Sequence, residues 1–132
     1  MLRKTLLFTL CLPSLAFAQD CDNLHAAGLS NAINQPPAFC GTSTDLSGQQ
    51  SQHCAWEYGY RDENALAQFS QLSQRFDQCH GPRIEPDKDA RVNHPDSYTL
   101  HQYHAGTSVY SLSLKDKAGP QKTLIFVRHF AR

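Results

Sequence analysis

The stretch VNHPDSYTLHQYH, residues 92–104, holds three of the seven histidines of this 132-residue chain. Imidazole serves as a metal ligand and as a general acid or base near neutral pH. His94, His101 and His104, with Asp96 among them and His129 further on, are therefore the first candidate site. Ligands to zinc or copper must converge on one point. On a strand, His101 and His104 lie three apart and point to opposite faces, whereas a shared metal favours positions two apart. His94 precedes Pro95, which holds it extended at the start of an Asn93-His94-Pro95-Asp96 turn. The spacing favours a turn feeding an edge strand with half-exposed imidazoles, and no metal. The metal alternative rests on His94, His101, His104 and His129, for example His101 with His129 across the sheet. No methionine follows Met1, which removes a soft thioether ligand of many copper carriers.

Two further histidines, His53 and His80, sit directly beside Cys54 and Cys79. A Cys2His2 cluster fails on geometry, because adjacent residues of a strand diverge and no C-x-x-C pair is present. No G-x-S-x-G elbow, phosphate-binding glycine loop, H-E-x-x-H or dinucleotide fingerprint occurs. Nothing in the pattern brings Glu57 to a second carboxylate such as Asp96 for glycoside chemistry. The expectation is a protein that is not an enzyme and carries no cofactor.

The N-terminus, MLRKTLLFTLCLPSLAFA, has a basic start at Arg3 and Lys4, a short apolar run, and an Ala16-Phe17-Ala18 cleavage site. It reads as a secretory signal peptide over 1–18, too short to span a membrane, leaving one domain over 19–132. The style of the signal points to the periplasm or to secretion. Removing it takes the cysteine count from five to four and the formal charge from zero to −2, since Arg3 and Lys4 leave with no acid. Four cysteines in an oxidising compartment predict two disulfides. A near-neutral chain with scattered charge predicts no nucleic-acid partner and no membrane insertion.

The elements that must position these groups follow from periodicity. Residues 20–33 predict a short helix ended by Gln35-Pro36-Pro37, and the polar run 41–52 predicts an exposed loop. From Cys54, the residues Trp56, Tyr58 and Tyr60 alternate with Glu57, Gly59 and Arg61, the period of a strand. Asp62 then caps a helix whose apolar face is Ala65, Phe69, Leu72, Phe76 and Cys79, closed by Gly81-Pro82. Three strands follow, turned at Ala105-Gly106 and at KDKAGP, and TLIFV, apolar on both faces, predicts the central one. The fold class is α+β: a short helix, then strand-helix-strand-strand-strand, with the long helix on an antiparallel sheet of about four strands.

Spacing alone leaves three disulfide pairings open. A strand of roughly 20 Å followed by a helix of roughly 26 Å that folds back over it returns Cys79 towards Cys54. That geometry predicts Cys54–Cys79, and by elimination Cys21–Cys40. On the surface, Tyr98, Tyr103 and Tyr110, with Gln71 and Gln74 on a weakly charged helix face, are the partner-binding candidates, because aromatics anchor interfaces. One helix cannot cover both faces of a sheet, so the other face, with Val109, His101, Tyr103 and the outer side of TLIFV, needs a cover. The sequence thus predicts a small periplasmic or secreted non-catalytic binding protein, an inhibitor, immunity-type or accessory envelope factor whose partner is another envelope or secreted protein. A homodimer is compatible with it. The alternatives are the metal-binding protein above and a small-ligand carrier on the uncovered sheet face.

Overall fold

A computed structural model describes residues 21–84 and 97–131. The order is two short 3-10 turns (Asp22–Leu24 and Ala26–Asn31), β1 (Phe39–Thr44), β2 (Gln50–Gly59), α1 (Glu63–His80), β3 (Ser97–Ala105), β4 (Ser108–Lys117) and β5 (Lys122–Ala131). The strands form one antiparallel sheet in the order β1-β2-β5-β4-β3. The fold is the predicted α+β arrangement, with α1 on the sheet and β5, which contains TLIFV, at its centre.

Most of the elements are where periodicity places them. Asp62 caps α1 by accepting a hydrogen bond from the Asn64 amide at 2.8 Å. Gly81, at φ 78°, ends the helix in a conformation that costs glycine least. Phe69, Leu72 and Phe76 are buried against Trp56, Tyr103, Tyr110, Leu112, Ile125 and Val127, and Ala65 is buried as well. The indole of Trp56 donates to the Gln35 carbonyl at 2.9 Å and so ties the chain leaving the N-terminal turns to the core.

The short N-terminal helix is present in 3-10 form, as two turns. His25 is extended (φ −96°, ψ 160°) and separates two 3-10 turns, which fold so tightly that a Cβ on Gly28 would lie 2.5 Å from the Asp22 carbonyl oxygen. Leu24, Leu29 and Ile33 join the core under α1. The first segment therefore shares the helix side of the sheet and does not cover the other face.

The polar run 41–52 is not a loop either. It is a hairpin, whose turn is built by Asp45: its carboxylate accepts from the Ser47 amide and hydroxyl and from the Gln49 amide. All six residues of β1 are exposed, which is why the run lacks an apolar alternation. The hairpin also corrects the disulfides. Cys40 lies directly opposite Cys54 in the β1–β2 register, and these two are bonded. Cys79, at the end of α1, is bonded to Cys21, at the start of the turns packed beside it. The expected Cys54–Cys79 and Cys21–Cys40 pairs assumed that no fifth strand stood beside β2.

Closing the 58-residue separation of Cys21 and Cys79 should stabilise by about 4 kcal/mol, and the 14-residue separation of Cys40 and Cys54 by about 3 kcal/mol, in the chain-entropy account. Non-reducing peptide mapping should recover these two pairs. In urea titrations the Cys21→Ala/Cys79→Ala variant should lose more stability than Cys40→Ala/Cys54→Ala.

Candidate functional site

The register separates the sheet into two unlike faces. Residues on the α1 side include His101, Tyr103, Tyr110, Leu112, Ile125, Val127, His129, Cys54 and Trp56. Alternation sends Tyr98, Leu100, His104, Val109, Ser113, Lys115, Phe126, Arg128, His53 and Phe39 to the other face. Both α1 and the 3-10 turns pack on the first face.

The helix side holds a constellation that resembles a catalytic one. Ser73 Oγ lies 3.0 Å from His101 Nδ1, and His101 Nε2 lies 3.0 Å from Arg83 Nη1. Arg83 makes a two-pronged pair with Asp77, whose Oδ1 also accepts from the Tyr103 hydroxyl at 3.0 Å. A guanidinium only donates, so His101 Nε2 must accept and the ring proton must sit on Nδ1, donated to Ser73. The imidazole lone pair that would take a proton from the serine is thus already used, and Ser73 is 4% exposed. The cluster cannot run a Ser–His nucleophile. It fastens α1 and the chain after it to β3. Burial works to raise the Asp77 carboxyl, but hydrogen bonds from Arg83 and Tyr103 and the Arg83 charge outweigh it and hold it below the usual range. Burial, then the bond to Asp77, push the Tyr103 phenol up.

The alternative metal set is not brought together among the described residues. His94 and Asp96 lie outside the described residues. His101 and His104 point to opposite faces, as their spacing requires. His129 shares a face with His101 but lies two strands away and two residues along, and its Nε2 is engaged with the Ser108 hydroxyl at 3.0 Å. Among the described residues no three His, Cys, Asp or Glu side chains gather for a metal.

The partner candidates part company in the same way. Tyr103 and Tyr110 are buried under α1 and cannot offer a ring to a partner in this fold. Their burial follows from alternation once β4 is seen to pair with both β3 and β5. Gln71 and Gln74 are exposed on α1. Tyr98, 44% exposed, stands on the opposite face of the sheet. His101 and Tyr103 also leave the set expected to line that face; Val109 and the outer residues of TLIFV, Leu124 and Phe126, stay in it.

That face is built as a surface with relief. One row across all five strands reads Phe39, Ala55, Phe126, Ser113, Leu100, alternating bulky and small side chains so that notches lie between the bulky ones. The row of Gly41, His53, Arg128, Ser111 and Gln102 lies on one side of it, and that of Glu57, Leu124, Lys115 and Tyr98 on the other. Rings dominate the centre: His53 stacks on Phe126 with centroids 5.2 Å apart, and Phe39, 45% exposed, stands 6.1 Å from His53 and 6.4 Å from Phe126. Sequence inspection missed Phe39 and His53, because β1 and the start of β2 were not visible as strands, whereas Phe126 belongs to the outer side of TLIFV. Elsewhere, an open hollow of about 930 Å³ between the N-terminal turns and α1 is lined by Asn23, Asn31, Asn34, Gln35 and Arg75, but the guanidinium of Arg75 is held by the Ala32 carbonyl at 2.6 Å.

A buried histidine couples the fold to pH. His80 is 7% exposed, its Nε2–H donates to the Leu24 carbonyl at 2.8 Å, and its ring stacks on Tyr110 at 4.4 Å. Burial, with a minor push from His25, lowers its pKa. The unfolded chain therefore binds more protons once the pH drops below about 6.5, so this contribution is complete above that value and is lost as the pH falls towards the folded pKa. The urea midpoint should fall between about pH 7.5 and 5.5, with a shallower slope in His80→Gln. Burial lowers His129 as well, so some slope remains in that variant. Separately, His101→Ala should cost about 1–3 kcal/mol by stranding Ser73 and Arg83, with the metal content of the purified protein unchanged.

No family model, curated protein or solved structure matches this chain, so its functional reading rests on its own geometry.

Proposed function

We propose that this is a small periplasmic or secreted, non-catalytic binding protein that holds a partner protein on the uncovered face of its sheet. The observation that carries the reading is the row Phe39–Ala55–Phe126–Ser113–Leu100, with Tyr98 and His53 beside it. Rings standing over small side chains, on a face that neither α1 nor the N-terminal turns pack against, have the make-up of an interface centre. Two disulfides in so short a chain accord with an oxidising compartment, as does the signal peptide read from residues 1–18. An inhibitor, an immunity-type factor or an accessory envelope subunit would each work through such a surface, by shape and without turnover.

Photo-crosslinking residues at Tyr98 and Phe39, and for comparison at Gln71 and Gln74, test the assignment in the native host. Adducts of one defined mass should form from positions 98 and 39 and disappear when Phe126→Ser is added. Adducts confined to positions 71 and 74 would move the interface to α1 and sink the reading.

A further inference from the structure

The charges on the uncovered face are one-sided. Lys115, Lys117, Lys122 and Arg128 point there, and the carboxylate of the same rows, Glu57, is held by Lys122 at 3.0 Å. Lys115 Nζ stands 4.7 Å from the centroid of Phe126 and 5.4 Å from that of Tyr98. Arg128 lies over Phe130 at 5.6 Å, and its Nε is buried with no acceptor. Among the described residues no carboxylate pairs with either Lys115 or Arg128. Among the described residues the nearby acids are hydrogen-bonded elsewhere: Asp45, which feels the Arg128 charge without contacting it, to Ser47 and Gln49 in the β1–β2 turn, and Asp116 to Thr123 and Arg61 on the helix side. Burial weakens the hold of Lys115 on its proton, and the charges of Lys117 and Arg128 add to that.

Covering two such cations with a neutral or basic surface would strand them out of water, at a heavy desolvation cost. A carboxylate beside each relieves their mutual repulsion and pairs the charge. Size argues for a chain and not a small ion. The row from Phe39 to Leu100 crosses four inter-strand steps, roughly 19 Å, the length of about six extended residues. A lone anion would leave its rings and notches unused.

We propose that the partner presents an acidic polypeptide segment to this face, with carboxylates against Lys115 and Arg128 and its apolar side chains in the notches beside Phe126. The inference rests on the uncovered-face reading above. The test is an amide-resolved NMR titration of the full mature chain with three 12-residue peptides, Val alternating with Glu, Gln or Lys, and with a 12-nucleotide single-stranded DNA. The Glu peptide should bind, shifting amides of Lys115, Phe126 and Arg128. Binding should weaken at least about tenfold in Lys115→Gln/Arg128→Gln, whose spectrum shows it folded, and should fall as salt rises. Equal binding of the Glu and Gln peptides on this face overturns the acidic partner but leaves the face as the interface. No binding of the Glu peptide, or tighter binding of the DNA, overturns the acidic partner and leaves the face to be judged by the crosslinks. Shifts confined to the Asn23–Arg75 hollow overturn both.

Discussion

The Cys21–Cys79 bond fixes the start of the described chain to the end of α1, and in doing so it decides which face of the sheet is covered. With its first residue held there, the N-terminal segment cannot reach round to the far side. Leu24, Leu29 and Ile33 fill the helix-side core instead, and Trp56 and His80 receive them through bonds to the Gln35 and Leu24 carbonyls. Two covering elements are thus spent on one face. A five-stranded sheet of this length has apolar and aromatic residues on both, and β5 is apolar on both. Among the described residues, the uncovered side follows from the placement of one covalent link.

The cluster of Ser73, His101, Arg83, Asp77 and Tyr103 shows why distance alone does not make a reactive site. Each link in the chain is within bonding range, yet the guanidinium donates to His101 and leaves that imidazole no lone pair with which to deprotonate Ser73. What the network achieves is a fully satisfied polar seam between the helix and an edge strand, where unsatisfied groups would be costly. Ile84, just after Arg83, bonds its amide to the Gln102 carbonyl, so the chain leaving α1 is held to the outer edge of β3 as well.

Much of the architecture was legible in the residues, because α1 and β4–β5 have one face in a core and their periodicity records it. Asp62, Gly81 and the Ala105-Gly106 turn mark their ends by chemistry that acts locally. The hairpin of β1 and β2 was illegible for the opposite reason: β1 has no buried face, so its sequence carries no alternation. Its signal was the turn, Asp45-Leu46-Ser47-Gly48, where an aspartate two residues before a serine can gather local amides. Missing that strand misplaced Cys40, and with it both disulfides. The candidate surface was half legible. Tyr98 and the outer side of TLIFV belong to it, while Tyr103 and Tyr110 were lost to the core, because an aromatic on a strand looks the same from either face until the register is known.

Pairing register in a sheet is ordinarily enforced by burial, since a slip of one residue would turn apolar side chains outward. β1 has nothing to lose by such a slip: all six of its residues are exposed. The bond between Cys40 and Cys54, directly opposite each other, supplies the missing constraint covalently. It holds the outermost strand in one alignment and bars it from being exchanged with a second molecule's. Phe39, the neighbour of Cys40, is thereby kept in line with Ala55 and Phe126. The amino acids of β1 are freed from any duty to the core, and evolution can alter them for the outer surface alone.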